Sequence, residues 1–130
     1  MKEIMVFIRM NMMNKTKEAL SKAGISSFTA TGGVHGRGKG KVDFRVIDGA
    51  KEGFEEAISQ LGQGQRLIPK RSLTIIVPDE LVKKTVDTVI SVNQTGKQGD
   101  GKIFVMPIDE AVRVRTGENG NSVLDEEGGK

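Results

Sequence analysis

Leu73-Thr74-Ile75-Ile76-Val77-Pro78-Asp79 opens the stretch that decides the fold. Its first five residues make an apolar run short enough for a buried strand, which Pro78 ends. Asp79 stands where the N-cap of a following helix is expected. Leu81, Val82, Thr85, Val86, Val89 and Ile90 then recur at helical spacing and give one wide apolar face. Thr95 to Lys102, with three glycines, ends that helix. Ile103-Phe104-Val105-Met106-Pro107 reads as the returning strand, so one β-α-β unit is legible.

The same order occurs earlier in the chain. Ile4-Met5-Val6-Phe7-Ile8 reads as a strand, Asn14 as the N-cap of a helix from Lys15 to Ala23, and Gly24 as its C-terminal stop. Ile25 to Thr31 alternates loosely and predicts a second strand. Two β-α-β halves predict an α+β, ferredoxin-like double βαβ fold. Between the halves, Gly32 to about Pro69 sustains no period. Val42, Phe44 and Val46 suit a short hairpin arm, and Phe54, Ala57, Ile58 and Leu61 suit one or two helical turns. A segment of this length without core elements reads as a long projecting loop. Ala111 to Arg115 suits a short fifth strand, and the polar, acidic stretch from Gly117 to Lys130 a mobile tail.

At 130 residues the chain has room for one domain. It has no Cys and a single histidine, His35, which excludes disulfides, thiolate metal sites, a cysteine nucleophile and a His-rich metal centre. No apolar run approaches the roughly 18 residues of a membrane span, and the N-terminus lacks the basic-then-apolar order of a signal peptide. A cytoplasmic protein is the expectation. The net charge of +3 divides unevenly: +3 over residues 1–31, +3 over 32–71, zero over 72–116 and −3 over 117–130. The densest basic run is Arg37-Gly38-Lys39-Gly40-Lys41. There, alternating glycine and cation would let backbone close on an anion. RNA-recognition modules share the βαββαβ order but need sheet-face aromatics, and residues 103–106 offer one Phe, so no nucleic-acid partner is expected.

Thr95-Gly96-Lys97-Gln98-Gly99-Asp100-Gly101-Lys102-Ile103 nearly matches a nucleotide-binding P-loop. Ile103 stands where a Ser or Thr should ligate magnesium, and the loop follows a helix and opens a strand, the reverse of a P-loop's context. The chain is therefore not a P-loop NTPase. Its three glycines can still turn backbone N–H groups toward an anion, with Lys102 adding a charge. Arg113 and Arg115, alternating on the fifth strand, would point the same way and suit a polyphosphate.

The run from Thr95 to Val105, followed by Val112-Arg113-Val114-Arg115-Thr116-Gly117-Glu118, closely resembles the C-terminal signature of the PII nitrogen-signalling proteins. The likeness extends to Lys2 through Arg9, Ile25 through Thr31, and Ile76-Val77-Pro78-Asp79. It implies a PII-like domain over residues 1–116, a T-loop over about 36–69, a polar tail over 117–130, and a trimer with nucleotide sites between subunits. By resemblance, Thr95, Gly99, Asp100, Gly101 and Lys102 cradle the phosphates of ATP or ADP. Arg113 and Arg115 reach them, Thr29 and Ile76 lie near the adenine, and Gly36, Gly38 and Lys39 form the T-loop base. Lys70, with Lys39 and Gly40, corresponds to the 2-oxoglutarate site. Magnesium is expected with ATP rather than at a metal site of the protein.

The chain departs from the family pattern in four ways. Its T-loop is longer than in the common members, and it has no Tyr to uridylylate. Gly40 replaces, or a one-residue gap displaces, the glutamine that helps hold magnesium with 2-oxoglutarate, and Met10 stands where a proline commonly follows the first strand. A long T-loop and polar tail look most like the NifI branch, whose members act as pairs of different PII-like subunits on the dinitrogenase component. The resemblance thus implies a non-catalytic sensor of nucleotide and 2-oxoglutarate that regulates nitrogenase, as a homotrimer or with a second PII-like subunit. The alternative within the family plugs an ammonium transporter or regulates another nitrogen-assimilation enzyme. More remote are an ATP-using enzyme, for which no acid–base pair accompanies the loop, and an RNA-binding module.

Overall fold

The computed structural model describes residues 1–37 and 67–124. The expectations for Gly38, Lys39 and Gly40, for the hairpin arm and helical turns of the long loop, and for residues 125–130 lie outside the described residues. The chain forms two compact units, Met1–Val34 with Lys70–Lys130, and His35–Pro69. The elements are β1 (Lys2–Arg9), α1 (Met13–Lys22), β2 (Phe28–Arg37), β3 (Leu67–Val77), α2 (Val82–Asn93) and β4 (Lys102–Pro107). The sheet order is β2-β3-β1-β4. β1 runs antiparallel to β3, from Lys2 opposite Val77 to Arg9 opposite Lys70, and antiparallel to β4, from Lys2 opposite Pro107 to Phe7 opposite Lys102. Four antiparallel strands with two helices make the ferredoxin-like double βαβ expected from the half-repeat.

Strict alternation decides which sheet face is buried. Ile4, Val6 and Ile8 of β1 and Leu73, Ile75 and Val77 of β3 point to the helices and are at most 1% exposed. Met13 and Leu20 of α1, Ile25 after it, and Val89 of α2 close the core from the other side, with Leu81, Val82 and Val86 packed against it. Ile90, expected on the same apolar face, is instead exposed. The helices also share a polar contact. Asn93 Nδ2 donates to Thr16 Oγ1 at 3.1 Å and to the Val89 carbonyl at 2.9 Å, while the Thr16 hydroxyl donates to the Met12 carbonyl at 2.7 Å. This pairing satisfies the Asn93 amide nitrogen and the Thr16 hydroxyl inside the core, while Asn93 Oδ1 is buried without a partner among the described residues.

Asn14 and Asp79 do not cap the helices. Each helix is entered through a 3-10 turn, Met10–Met12 and Asp79–Leu81, and neither N-cap residue, Met12 or Leu81, makes a side-chain cap. The φ/ψ of both lie near −100° and 0°, not in the extended region that a capping side chain requires. Asp79 instead pairs with the N-terminal amine at 3.1 Å. Gly24 does end α1: the Gly24 amide donates to the Ser21 carbonyl and the Ile25 amide to that of Leu20, the paired bonds of a Schellman motif. β2 starts at Phe28 rather than Ile25, because Ile25 is drawn wholly into the core. β2 and β3 also run further into the long loop than its composition suggested, to Arg37 and from Leu67.

The fifth strand is not formed. Residues 111–119 hold one isolated bridge, Val112 to Asn119, around a turn at residues 114–116. The first part of the tail is folded, contrary to expectation. The Gly117 amide donates to the Arg113 carbonyl at 2.7 Å, the Gly120 amide to the Ala111 carbonyl at 3.1 Å, and Asn121–Val123 form a 3-10 turn.

Candidate functional site

The loop after α2 is built around one carboxylate. Asp100 Oδ2 accepts from the amides of Thr95 at 2.7 Å and Gly96 at 3.0 Å, and Oδ1 accepts from the Thr95 hydroxyl and from Arg9 Nη1 at 2.7 Å. The Thr95 hydroxyl and amide, then the Arg9 guanidinium and the Gly96 amide, hold the Asp100 carboxyl well below the usual carboxylate range. Arg9 Nη2 also donates to the Gln98 carbonyl at 3.0 Å, and Lys70 Nζ to the Gly99 carbonyl at 3.3 Å. Two cations from the adjoining ends of β1 and β3 thus hold the loop's acceptors. The amides of Thr95, Gly96 and Lys97 are taken up inside the loop, and Lys97 and Lys102 stand exposed on it.

Gly101 is where this geometry demands glycine. Its φ is +128°, and a Cβ there would lie 2.1 Å from the Phe7 carbonyl oxygen. The loop therefore seats its backbone directly on β1, immediately before Lys102 pairs with Phe7. The chain can make this approach only without a side chain.

A second feature forms between β2 and β3. Phe28, Thr29, Thr74, Ile76, Val123 and Leu124 help line a groove of about 380 Å³. The two residues expected near the adenine, Thr29 and Ile76, are thereby brought together. Gly36 lies at the end of β2, in the smaller unit. Lys70 is placed on the Gly99 carbonyl.

Arg113 and Arg115 do not point the same way from a strand, because no strand forms there. Arg113 Nη1 meets Glu118 Oε1 at 3.2 Å, and Nη2 donates to the carbonyls of Ser122 and Val123 at 3.5 and 3.4 Å. Arg115 stands exposed in the turn. Three participants went unread in the sequence. Arg9 could have been found by pairing the strands, since it lies two residues beyond Phe7, the partner of Lys102. Val123 and Leu124 are the one apolar pair in an otherwise polar tail. The open sheet face also holds a second aromatic: Phe7 meets Phe104 edge to face, with ring centroids 6.1 Å apart.

Among the described residues no group of three or more His, Asp or Glu side chains could hold a metal, and no helix is long and apolar enough to cross a membrane. Both Asp100 oxygens already accept hydrogen bonds, so this loop offers magnesium no free carboxylate.

The profile of the nitrogen regulatory protein P-II family matches residues 1–118. The GlnB-like protein 2 of the nitrogen-fixation nifHD region of Methanobacterium ivanovii is 46% identical over 129 residues, covering 95% of this chain and 99% of that protein. Its counterpart in Methanosarcina barkeri is 43% identical over 127 residues, again 95% and 99%. The nitrogen regulatory protein P-II of Haemophilus influenzae is 36% identical over 124 residues, covering 95% of this chain and all of that protein. With its fold, its glycine loop and matches over nearly its whole length, the chain belongs to the P-II family of nitrogen regulatory proteins, which are regulators and not enzymes.

Proposed function

We propose that this nitrogen regulator senses cellular energy and nitrogen by binding ATP or ADP and 2-oxoglutarate, and acts through its T-loop on nitrogenase. The observation that carries the nucleotide reading is the loop at residues 95–101, locked by Asp100, Arg9 and Gly101 next to Lys102. A loop already locked in place receives an anion without further ordering, and Lys97 and Lys102 supply the charge that phosphate recognition needs. Thr29 and Ile76 line the groove at the other end of β3 from this loop, and suit the adenine of a nucleotide held between two subunits. Magnesium would arrive on the ATP phosphates. Gly36, Gly38 and Lys39 would form the T-loop base, and Lys70, Lys39 and Gly40 the 2-oxoglutarate site. A trimer, or a mixed assembly with a second PII-like subunit, would bring Arg113 and Arg115 to a neighbour's phosphates. Ligand affinity that differs between two T-loop states would then shift their populations.

The nitrogenase target is supported by relatives named for the nifHD region. Regulation of an ammonium transporter or of another nitrogen-assimilation enzyme is the second reading, kept because the chain is also similar to a relative named only as a nitrogen regulatory protein P-II. Calorimetry on the purified chain tests the first step. ATP should bind, and Lys102→Ala should weaken it by about tenfold or more, the scale of one lost charge-assisted phosphate contact. No heat from ATP or ADP would sink the reading. Capture from native extract with and without 2-oxoglutarate separates the targets: dinitrogenase subunits support the first, a membrane channel the second.

A further inference from the structure

The segment after Arg113 makes contacts that neither the glycine loop nor the core requires. Backbone bonds from Arg113 to Glu118 at 2.8 Å, from Gly117 to Arg113 at 2.7 Å and from Gly120 to Ala111 at 3.1 Å fold it back on itself. The 3-10 turn at Asn121–Val123 then delivers Val123 and Leu124, both half-buried, to the groove that holds Thr29 and Ile76. Val123 has a second contact: its carbonyl accepts from Arg113 Nη2 at 3.4 Å. One residue therefore joins the wall of the groove to a guanidinium suited to phosphate.

The lining has the chemistry of a nucleobase site. Phe28, Ile76, Val123 and Leu124 supply apolar surface for a flat ring, and Thr29 and Thr74 supply hydroxyls that could read its polar edge. A volume of about 380 Å³ accommodates a purine. Two of the four apolar contributors come from the tail, which the sequence presents as solvated and acidic.

We propose that Val123 and Leu124 are base-recognising residues of the nucleotide site, and that the Val123 carbonyl ties this wall to Arg113. The inference rests on the reading of the groove as the adenine site. It adds that the tail, and not the sheet alone, sets the choice of base. The polar hydroxyls fix the ring's edge, while the apolar pair limits its size and keeps water from its face.

The test is calorimetry on the full chain with ATP and GTP, with thermal unfolding run in parallel. Val123→Asp keeps the main-chain carbonyl that Arg113 uses but puts a carboxylate against the base. ATP affinity should fall about tenfold or more, because a carboxylate against the apolar face of the ring must be desolvated when the base binds, with the unfolding midpoint nearly unchanged. Leu124→Ala should lower the preference for ATP over GTP several-fold, and Val123→Ile should restore wild-type binding. Should the wild type bind ATP while Val123→Asp and Leu124→Ala match it in affinity and base preference, the inference is overturned and the nucleotide reading stands. Should the wild type bind neither nucleotide, the reading of the groove fails and the inference falls with it.

Discussion

The turns at residues 95–101 and 113–124 both contain glycines at positive φ, and they are held in opposite ways. Residues 95–101 are pinned from within by Asp100 and from outside by Arg9 and Lys70, with Gly101 pressed onto the Phe7 carbonyl. Residues 113–124 rest on one isolated bridge, a handful of backbone bonds, and an Arg113–Glu118 pair with exposed neighbours. Around Gly117 and Gly120 there is open space: an added Cβ would meet nothing within 4 Å at either. On the proposed reading, the first turn would be built before a nucleotide arrives and the second could rearrange when one does. A sensor would have use for both, because a rigid cradle would supply affinity and a yielding arm a response.

The comparison breaks most sharply at Gly101. Gly101→Ala adds a Cβ on top of a backbone oxygen at a φ that side chains rarely adopt. The loop must lift or β4 must shift from β1, at a cost on the order of 3 kcal/mol or more. Urea unfolding should show the loss of stability, and ATP binding should vanish with it. A variant as stable as the wild type would mean the loop does not sit on β1 as described.

Asp100→Asn comes next. The amide keeps the shape but loses the charge that meets Arg9, and it can place an N–H₂ against the amides of Thr95 and Gly96. Hydrogen exchange at those two amides should accelerate by about tenfold or more, the worth of a lost charge-assisted bond. The pH dependence follows from the lowered carboxyl. Its hydrogen bonds favour the ionised form, so the contribution is complete above the ordinary carboxylate range near about 4 and is lost only as pH falls below it. Amide protection in the wild type should therefore stay flat from neutral pH down to about 4. Loss of protection between pH 6 and 5 would contradict the Asp100 clamp.

How much of this was legible in the sequence differs between the same two turns. The helical and strand periods gave the six core elements, since Leu73 to Val77 and Ile4 to Ile8 could hardly be anything but buried strands. The glycine loop was readable because glycines and charge are local signals. Its lock was not, because Arg9 lies ninety-one residues from Asp100 and only the β1–β4 register brings them together. The N-caps failed for a local reason: the chain turns through 3-10 geometry straight from the preceding strand, so Asn14 and Asp79 never reach the capping position. In the arginine turn, the alternation of Val112, Arg113, Val114 and Arg115 imitates a strand, but no free edge pairs with it beyond Val112 and Asn119. The tail reads as solvent-exposed by composition, and two apolar residues among acidic ones are too weak a period to show that Val123 and Leu124 fold back.

The smallest effect tests the yielding side. Gly120 has φ +86°, close to the value at Gly96, but with open space where Gly101 has a carbonyl. With ψ −165° as well, Gly120 sits in a backbone region open essentially to glycine alone, so Gly120→Ala should cost that backbone penalty without a steric clash, about 1–3 kcal/mol, and part of it can be relieved locally because the turn is held by few bonds. Its unfolding midpoint in urea should move far less than that of Gly101→Ala. Since the Gly120 amide bonds to Ala111 and the next three residues form the turn that places Val123, any change in ATP affinity should be modest and should accompany faster exchange at the Gly120 and Val123 amides. If Gly120→Ala destabilised the chain as much as Gly101→Ala, the arginine turn would be as tightly built as the glycine loop, and the division of labour between them would not hold.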